Sequence, residues 1–510
     1  MMKRCLILVG GVFLYLFSGY FVFADKPTFA EKETVNKKCV GCHSSLHQGL
    51  VTQHLESPMA NLHDKINPIL CLDCHGFEHQ SAEDYTKAEM PTAETCGECH
   101  HDQLKQLREG KHNLAWFGMK SQVAYHRQQS AIVEVGYRGC SGCHKIGQKG
   151  LMGISQGITD DLEYDAGQEM SKYRYGNTQC DACHTRHSFK KSEAQDPRVC
   201  SNCHVGFDHP QWEMYMSSKH GIVWDIEKNK NVKGRTPTCQ YCHMPAGNHT
   251  VKTSWGFLAL RIPTKSNVLK LIGKESTPKD SPSEKTSWGE LAQQISDESN
   301  VFKLIENIPE LVDALTKLVE YLPVGNYEGV DDDPQWVFDR ALILQASGIL
   351  DANFQPTKRF IEIVVQGEAA RGPTEFNEIR GKMKTICQEC HAKKFVELHF
   401  KASDEIIKAA DREFAKAIQA VQGLYQDGIL EKPANWEFAP DLLQFYDAKT
   451  VIEQELYLIL LEYRQRTFQG AFHASNDYMH WYGWAPLKTA VANILEEAKR
   501  MRTKHEEKGK

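Results

Sequence analysis

Residues 180–209 read Cys180-Asp-Ala-Cys183-His184-Thr-Arg-His187-Ser-Phe-Lys-Lys-Ser-Glu-Ala-Gln-Asp-Pro-Arg-Val-Cys200-Ser-Asn-Cys203-His204-Val-Gly-Phe-Asp208-His209. Two pentads of the form C-x-x-C-H stand here 20 residues apart. The same pentad recurs at Cys39/Cys42/His43, Cys71/Cys74/His75, Cys96/Cys99/His100, Cys140/Cys143/His144, Cys239/Cys242/His243 and Cys387/Cys390/His391. Eight copies use sixteen of the 17 cysteines and leave only Cys5. This is the attachment pattern of c-type haem. Two thiols add across the vinyl groups, and the adjacent imidazole takes the iron from one side. Eight disulfides would suit an exported chain but give no reason for His after every second Cys. Zinc sites also use C-x-x-C, yet zinc does not demand eight identical pentads.

Histidine counting bears on coordination. Of 23 His, eight lie in the motifs and fifteen remain. Bis-histidine ligation of every iron needs eight more, so the pool suffices. The distal ligands are expected among His54, His63, His112, His126, His187, His220 and His249, with Met119, Met244 and Met479 as thioether alternatives. Two axial His close an iron and suit electron transfer, whereas catalysis needs one open face. His505, in a charged tail, is expected to be neither ligand nor catalyst.

Working outward, the 510 residues carry 60 basic and 66 acidic side chains, a net charge of −6. That mild acidity argues against a nucleic-acid binder, which carries a basic excess. Mean hydropathy of −0.49 with 25 % charged residues excludes a polytopic membrane protein and a disordered chain. Residues 1–24 combine Lys3 and Arg4 with an apolar run from Leu6 to Phe23 and end on Ala24. This pattern predicts a secretory signal peptide and export to the periplasm or an equivalent compartment. An uncleaved anchor is the competing reading, because the run nears the roughly 20 residues that span a bilayer. Cleavage would leave sixteen cysteines and a charge of −8.

Seven motifs crowd into residues 39–243, about one per 29 residues. Segments that short cannot build apolar cores of their own, so the porphyrins are expected to be the core, wrapped by short helices and loops. The predicted fold is mainly α: a haem-packed region over 25–262, a helical connection carrying the eighth motif over 263–392, and a C-terminal bundle of long helices over 393–510. Residues 264–287 read as an exposed connection. Apolar periodicity predicts a helix over 288–322, and Asp331-Asp332-Asp333-Pro334 predicts another helix start. Long helices are predicted over 393–426, 441–475 and 484–505, broken near Pro433, Pro440 and Pro486. This tail is either a lid on the haem region or an oligomer interface.

With seven motifs crowded early and one before a helical tail, the chain resembles the octahaem hydroxylamine oxidoreductase family. The resemblance extends to residues outside the pentads. These are Thr-Arg-His187-Ser-Phe after the fifth motif, Val-Gly-Phe-Asp208-His209-Pro-Gln-Trp-Glu-Met after the sixth, and Ser218-Lys-His220-Gly, Met244-Pro and Asn248-His249-Thr around the seventh. Ser254-Trp-Gly-Phe and Asp477-Tyr-Met-His-Trp-Tyr-Gly-Trp484 also fit.

The resemblance implies an exported homotrimer with eight covalent haems, of which the fourth, on Cys140 and Cys143 with His144 proximal, is open and catalytic. It places the Asp208–His209 pair above that haem, where an imidazole titrating near neutrality can exchange protons and a carboxylate can orient it. In oxidising members a Tyr from a neighbouring subunit is cross-linked to the catalytic haem, giving a P460-type group. Tyr478 and Tyr482 are the candidates here. Members without the cross-link resemble nitrite reductases. The last five motifs also resemble pentahaem nitrite reductases, although the fourth motif ends in His144 rather than Lys. Three readings therefore stand. The first is oxidation of hydroxylamine or hydrazine, with electrons passed to a soluble or membrane-bound cytochrome. The second is nitrite reduction at the same haem. The third is pure electron transfer.

Overall fold

The computed structural model describes residues 27–62, 67–115, 128–133, 139–146, 179–228, 235–255, 333–351, 357, 359, 373–434, 436–444 and 447–509. The predicted signal peptide, the 264–287 connection, the 288–322 helix, Met119, His63 and His126 lie outside these residues. The protein is mainly helical. No helix among the described residues is long and apolar enough to cross a membrane.

The two ends of the chain fold on different principles. The helix Phe29–Leu46 starts at a capping box, where the Thr28 N–H donates to Glu31 Oε2 at 2.7 Å and Thr28 Oγ1 accepts from the Glu31 N–H. In its 18 residues not one is buried. The helix His101–Glu109 likewise buries none. The further helices of this region are short, such as Cys71–His75, Cys140–His144, Gln211–Ser217, Lys219–Glu227 and Cys239–His243. Where a side-chain core would lie there is a continuous cavity of about 3750 Å³.

The C-terminal region has an ordinary core. Lys393–Gln426 occupies the predicted span and buries a helical stripe that includes Val396, Phe400, Ile407, Phe414, Ile418, Val421 and Leu424. It ends where the Gly428 N–H donates to the Tyr425 carbonyl and the Ile429 N–H to that of Leu424, with Gly428 at φ +69°. Pro334–Ala346, Arg464–Phe472 and Ala485–Lys508 pack against it. Pro334–Ala346 starts as predicted: Asp333 Oδ1 accepts from the N–H groups of Gln335 and Trp336 at 3.0 and 3.3 Å.

Two predicted helix boundaries are corrected. The 441–475 helix begins only at Val451. The Asp441 carboxylate is engaged by Arg359 at 2.7 and 3.0 Å and accepts from the Leu443 N–H and the Gln444 side chain. Leu442 and Leu443 are thus buried from a loop. The helix start is instead set by Thr450 and Glu453 in a capping box. The 484–505 helix begins earlier, because Asn476–Tyr478 and a π-helical turn at Met479–Trp484 run straight into Ala485–Lys508. Pro486 follows a widened turn, which eases the clash between its ring and the preceding carbonyls.

That turn crosses Arg464–Phe472 at glycine. A Cβ on Gly483 would stand 2.5 Å from the Thr467 nitrogen. The crossing fixes the direction in which residues 473–478 leave the helix, and His473, Asn476 and Asp477 line the cavity.

Candidate functional site

One helical turn explains the pentad geometry. Residues i, i+3 and i+4 share a face. The N–H of His100, His184, His204 and His391 each donates to the carbonyl of its own motif's first Cys at 2.9–3.0 Å. At the fourth motif the turn is entered through Gly139 at φ +54°, where a Cβ would collide with the Ile132 carbonyl. All sixteen motif cysteines are free of disulfides.

Six motif histidines face a second imidazole. The ring centroids lie 6.1 Å apart for His43–His79, 6.2 Å for His75–His187, 6.2 Å for His184–His249 and 6.1 Å for His204–His112. They lie 6.3 Å apart for His243–His473 and 6.0 Å for His391–His220. A metal ion gripped by two ring nitrogens at about 2 Å each sets the centroids about 6 Å apart. The Nδ1 atoms point the same way. His75 Nδ1–H donates to the Glu89 carbonyl at 2.8 Å, and His473 Nδ1–H to the Gln469 carbonyl at 2.8 Å. A carbonyl only accepts, so the proton sits on Nδ1 and Nε2 keeps its lone pair for a metal. Burial pushes His187, His204 and His243 down to about 4, holding them in the neutral, ligating form at neutral pH.

Of the histidines expected as distal ligands, His112, His187, His220 and His249 face motif rings. His54 does not: it stands beside the His75–His187 pair, within electrostatic reach of both. Two facing residues, His79 and His473, escaped the sequence reading. Neither has a local signature, and His473 lies 230 positions from the ring it faces.

The cavity touches all eight motif histidines. The motif cysteines are less uniform than eight identical pentads suggest. Fourteen of the sixteen line the cavity, whereas Cys42 and Cys390 do not and are exposed. They are the second cysteines of the first and eighth motifs, which stand at the two ends of the row of sites described below.

Shared among eight sites the cavity offers about 470 Å³ each, within the roughly 300–1,000 Å³ of a pocket for a drug-sized molecule. Volume, paired rings and Nδ1 partners together fit covalently held haem. The sites are also contiguous. The sulfurs of Cys96 and Cys180, Cys143 and Cys203, and Cys200 and Cys239 are within hydrogen-bond reach of each other. Cys39 neighbours Cys71, Cys74 neighbours Cys96, and Cys183 neighbours Cys200. Cys242 neighbours both Cys387 and Cys390. In chain order this links sites 1, 2, 3, 5, 6, 7 and 8, with site 4 branching from site 6.

Among the described residues, His100 and His144 have no facing imidazole. The surroundings of His144 set it apart. Its Nδ1–H donates to the Ala115 carbonyl at 2.6 Å. Asp208 and His209 lie within electrostatic reach of Cys143, and Asp208 also of Cys140. His209 Nδ1 and Asp208 Oδ1 are 2.5 Å apart, and both side chains are about a quarter exposed. Burial alone would lower His209, but the hydrogen bond and charge of Asp208 oppose it and leave the imidazole above its ordinary value. Tyr478 and Tyr482 stack on each other at 4.9 Å and do not line the cavity, although Asn476 and Asp477 do. Tyr482 is exposed.

Two solved structures align over 94 % of the chain with TM-scores of 0.54. One is a reducing HAO-like protein complex of Kuenenia stuttgartiensis, at 19 % identity over 87 % of that chain. The other is a hypothetical multiheme protein, at 17 % identity over all of that chain. The fold is that of multihaem cytochromes. Residues 67–270 match the family model described as seven times multi-haem cytochrome CxxCH, which takes in the motifs from Cys71 to His243. The match, with the repeated pentads, indicates covalent haem c. A curated relative, the probable nitrite reductase-hydroxylamine oxidoreductase fusion protein of Kuenenia stuttgartiensis, is 30 % identical over 261 residues. The match covers 42 % of this chain and 26 % of the relative, so the chain spans about a quarter of that protein's length.

Proposed function

We propose that the chain is an exported octahaem c-type oxidoreductase that oxidises hydroxylamine, to nitric oxide or nitrite, at the site of Cys140, Cys143 and His144. The observation that carries this reading is the contrast, among the described residues, between six motif histidines with a facing imidazole and the fourth motif, whose cysteines have the Asp208–His209 pair within electrostatic reach. The haems supply electron acceptors and one vacant coordination position. The chain does the rest. His144, oriented through Nδ1 by the Ala115 carbonyl, would hold the iron of a bound haem. His209, its ring fixed through Nδ1 by Asp208, is the group that exchanges protons as electrons leave the substrate. Haems held at the contiguous sites would supply a path for electrons to a cytochrome partner.

Nitrite reduction at the same site is the second reading. Both tyrosines lie outside the chain's own cavity, so the cross-link of the first reading would require a neighbouring subunit in a homotrimer. Nitrite reduction is in keeping with the printed names of a probable nitrite reductase-hydroxylamine oxidoreductase fusion, which names both activities, and of a reducing HAO-like complex. The deciding experiment is the optical spectrum of the dithionite-reduced protein with hydroxylamine and nitrite assays. A red-shifted band beside the ordinary Soret peak, lost in Tyr478→Phe or Tyr482→Phe, supports oxidation with a P460-type group. Nitrite turnover without that band supports reduction. Failure to bind cyanide or nitric oxide leaves a pure electron carrier.

A further inference from the structure

At the first motif, the imidazole facing His43 belongs to His79. His79 Nδ1 stands 2.9 Å from Asp84 Oδ1. The carboxylate is itself fixed by the backbone: the Gln80 N–H reaches its two oxygens at 3.1 and 3.2 Å, and the Ser81 N–H donates to Oδ1 at 2.9 Å. Four other rings have neutral Nδ1 partners: the carbonyls of Glu89, Ala115 and Gln469 for His75, His144 and His473, and the Gln211 side-chain amide for His204; the other imidazole paired with a carboxylate is His209, on Asp208. A carboxylate draws the Nδ1 proton toward itself and raises the basicity of the ligand through Nε2, which favours the more highly charged metal.

We propose that Asp84 is a positioning residue that tunes the haem on Cys39 and Cys42, holding it ferric at potentials where sites with neutral Nδ1 partners are reduced. The place of this site in the protein gives the tuning a purpose. Site 1 ends the sequence of neighbouring sulfurs, touching only site 2 through Cys39 and Cys71. Cys42 and, beside it, Leu46, Leu50 and Leu55 are exposed. Asp84 therefore sets the potential at a terminus where electrons can cross to or from a partner. The proposal rests on haem at the first motif and not on the substrate or the direction of catalysis, so its failure leaves the proposed function untouched.

The test is a spectropotentiometric titration of the fully haem-loaded protein, with haem content verified by intact mass. Asp84→Asn should raise one midpoint, the lowest, and leave the others in place. The expected size is about a tenfold change in that haem's ferric-to-ferrous ratio at fixed potential, equivalent to about 59 mV for one electron. Asp84→Glu, which restores the charge, should return the midpoint toward its original value. Unchanged midpoints in Asp84→Asn, or equal shifts in the Asn and Glu variants, would overturn the proposal. Should Asp84→Asn not assemble, near-infrared magnetic circular dichroism of the unaltered ferric protein decides. One low-spin haem must then show imidazolate-like ligation, and its absence refutes the assignment.

Discussion

Replacing Asp411 with Asn tests how the helical region holds the haem wall. Asp411 lies on the buried side of Lys393–Gln426 and is fully buried. Its Oδ1 accepts from Arg464 Nε at 2.5 Å and its Oδ2 from Trp336 Nε1 at 2.7 Å, while Arg340 Nη1 approaches Oδ2 at 3.5 Å. The Arg340 guanidinium also lies 4.5 Å from the Trp336 ring and 5.5 Å from the Trp255 ring. Trp255, Trp336, Phe376, Ile407 and Phe468 form a second core cluster, and Trp255 and Phe468 reach the cavity wall.

Asparagine keeps the volume and can still accept from Trp336, so the change removes little but the charge. Two buried guanidinium groups then lose their shared counter-ion. Breaking a buried pair in this way costs about 3–5 kcal/mol. At about 2–4 °C per kcal/mol for a large domain, that predicts a melting temperature lower by about 10 °C. The Arg464–Phe472 helix leads directly to His473, so the ligation of the His243 site should weaken in parallel. Thermal unfolding of the haem-loaded protein, followed by far-ultraviolet circular dichroism and Soret absorbance, measures both effects. A melting temperature within about 2 °C of the unaltered protein would mean that the charge of Asp411 does not hold this seam.

Truncating His209 to Ala should lower turnover by about 10²–10⁴-fold, the usual contribution of a general acid–base group, with all haems retained; turnover near the original rate would remove His209 from the mechanism. Asp208→Asn should act on the pH profile. Asp208 holds His209 protonated to higher pH than usual, so without the carboxylate the neutral, proton-accepting form persists to lower pH and the acid limb of kcat/KM moves toward acid. A limb that stays in place contradicts the pairing. Gly483→Ala forces a methyl to 2.5 Å from the Thr467 nitrogen and should cost about 1–3 kcal/mol in a denaturant titration, by overpacking rather than by any change at the haems. A neutral result would show that the two helices can separate freely at this crossing.

Much of the architecture was legible before any coordinates because the chemistry of attachment is local. A thiol, a second thiol and an imidazole must share one helical turn, and that turn is written in five consecutive residues. The shortness of the segments between the motifs likewise announced that something other than side chains fills the N-terminal region, and Phe29–Leu46 buries none of its 18 residues. The stripe over 393–426 and the Asp333-Pro334 helix start were readable for the same reason: their signals lie within a few turns of the chain.

Other features depended on contacts between distant residues. The predicted helix from 441 is a loop up to its true start because Arg359, 82 positions away, engages the Asp441 carboxylate. His473 faces His243, and His220 faces His391, across separations that no periodicity encodes. Cys42 and Cys390 read like every other motif cysteine, and only the fold leaves them outside the cavity wall. His54 looks like any other candidate ligand until the fold seats it beside a pair rather than within one. The sequence by itself determined where haem attaches, because covalent attachment needs only neighbours along the chain. Which imidazole lies opposite, which site keeps Asp208 and His209 instead, and which ligand meets a carboxylate were decided by tertiary structure alone, because each requires two remote segments to meet within a few ångströms.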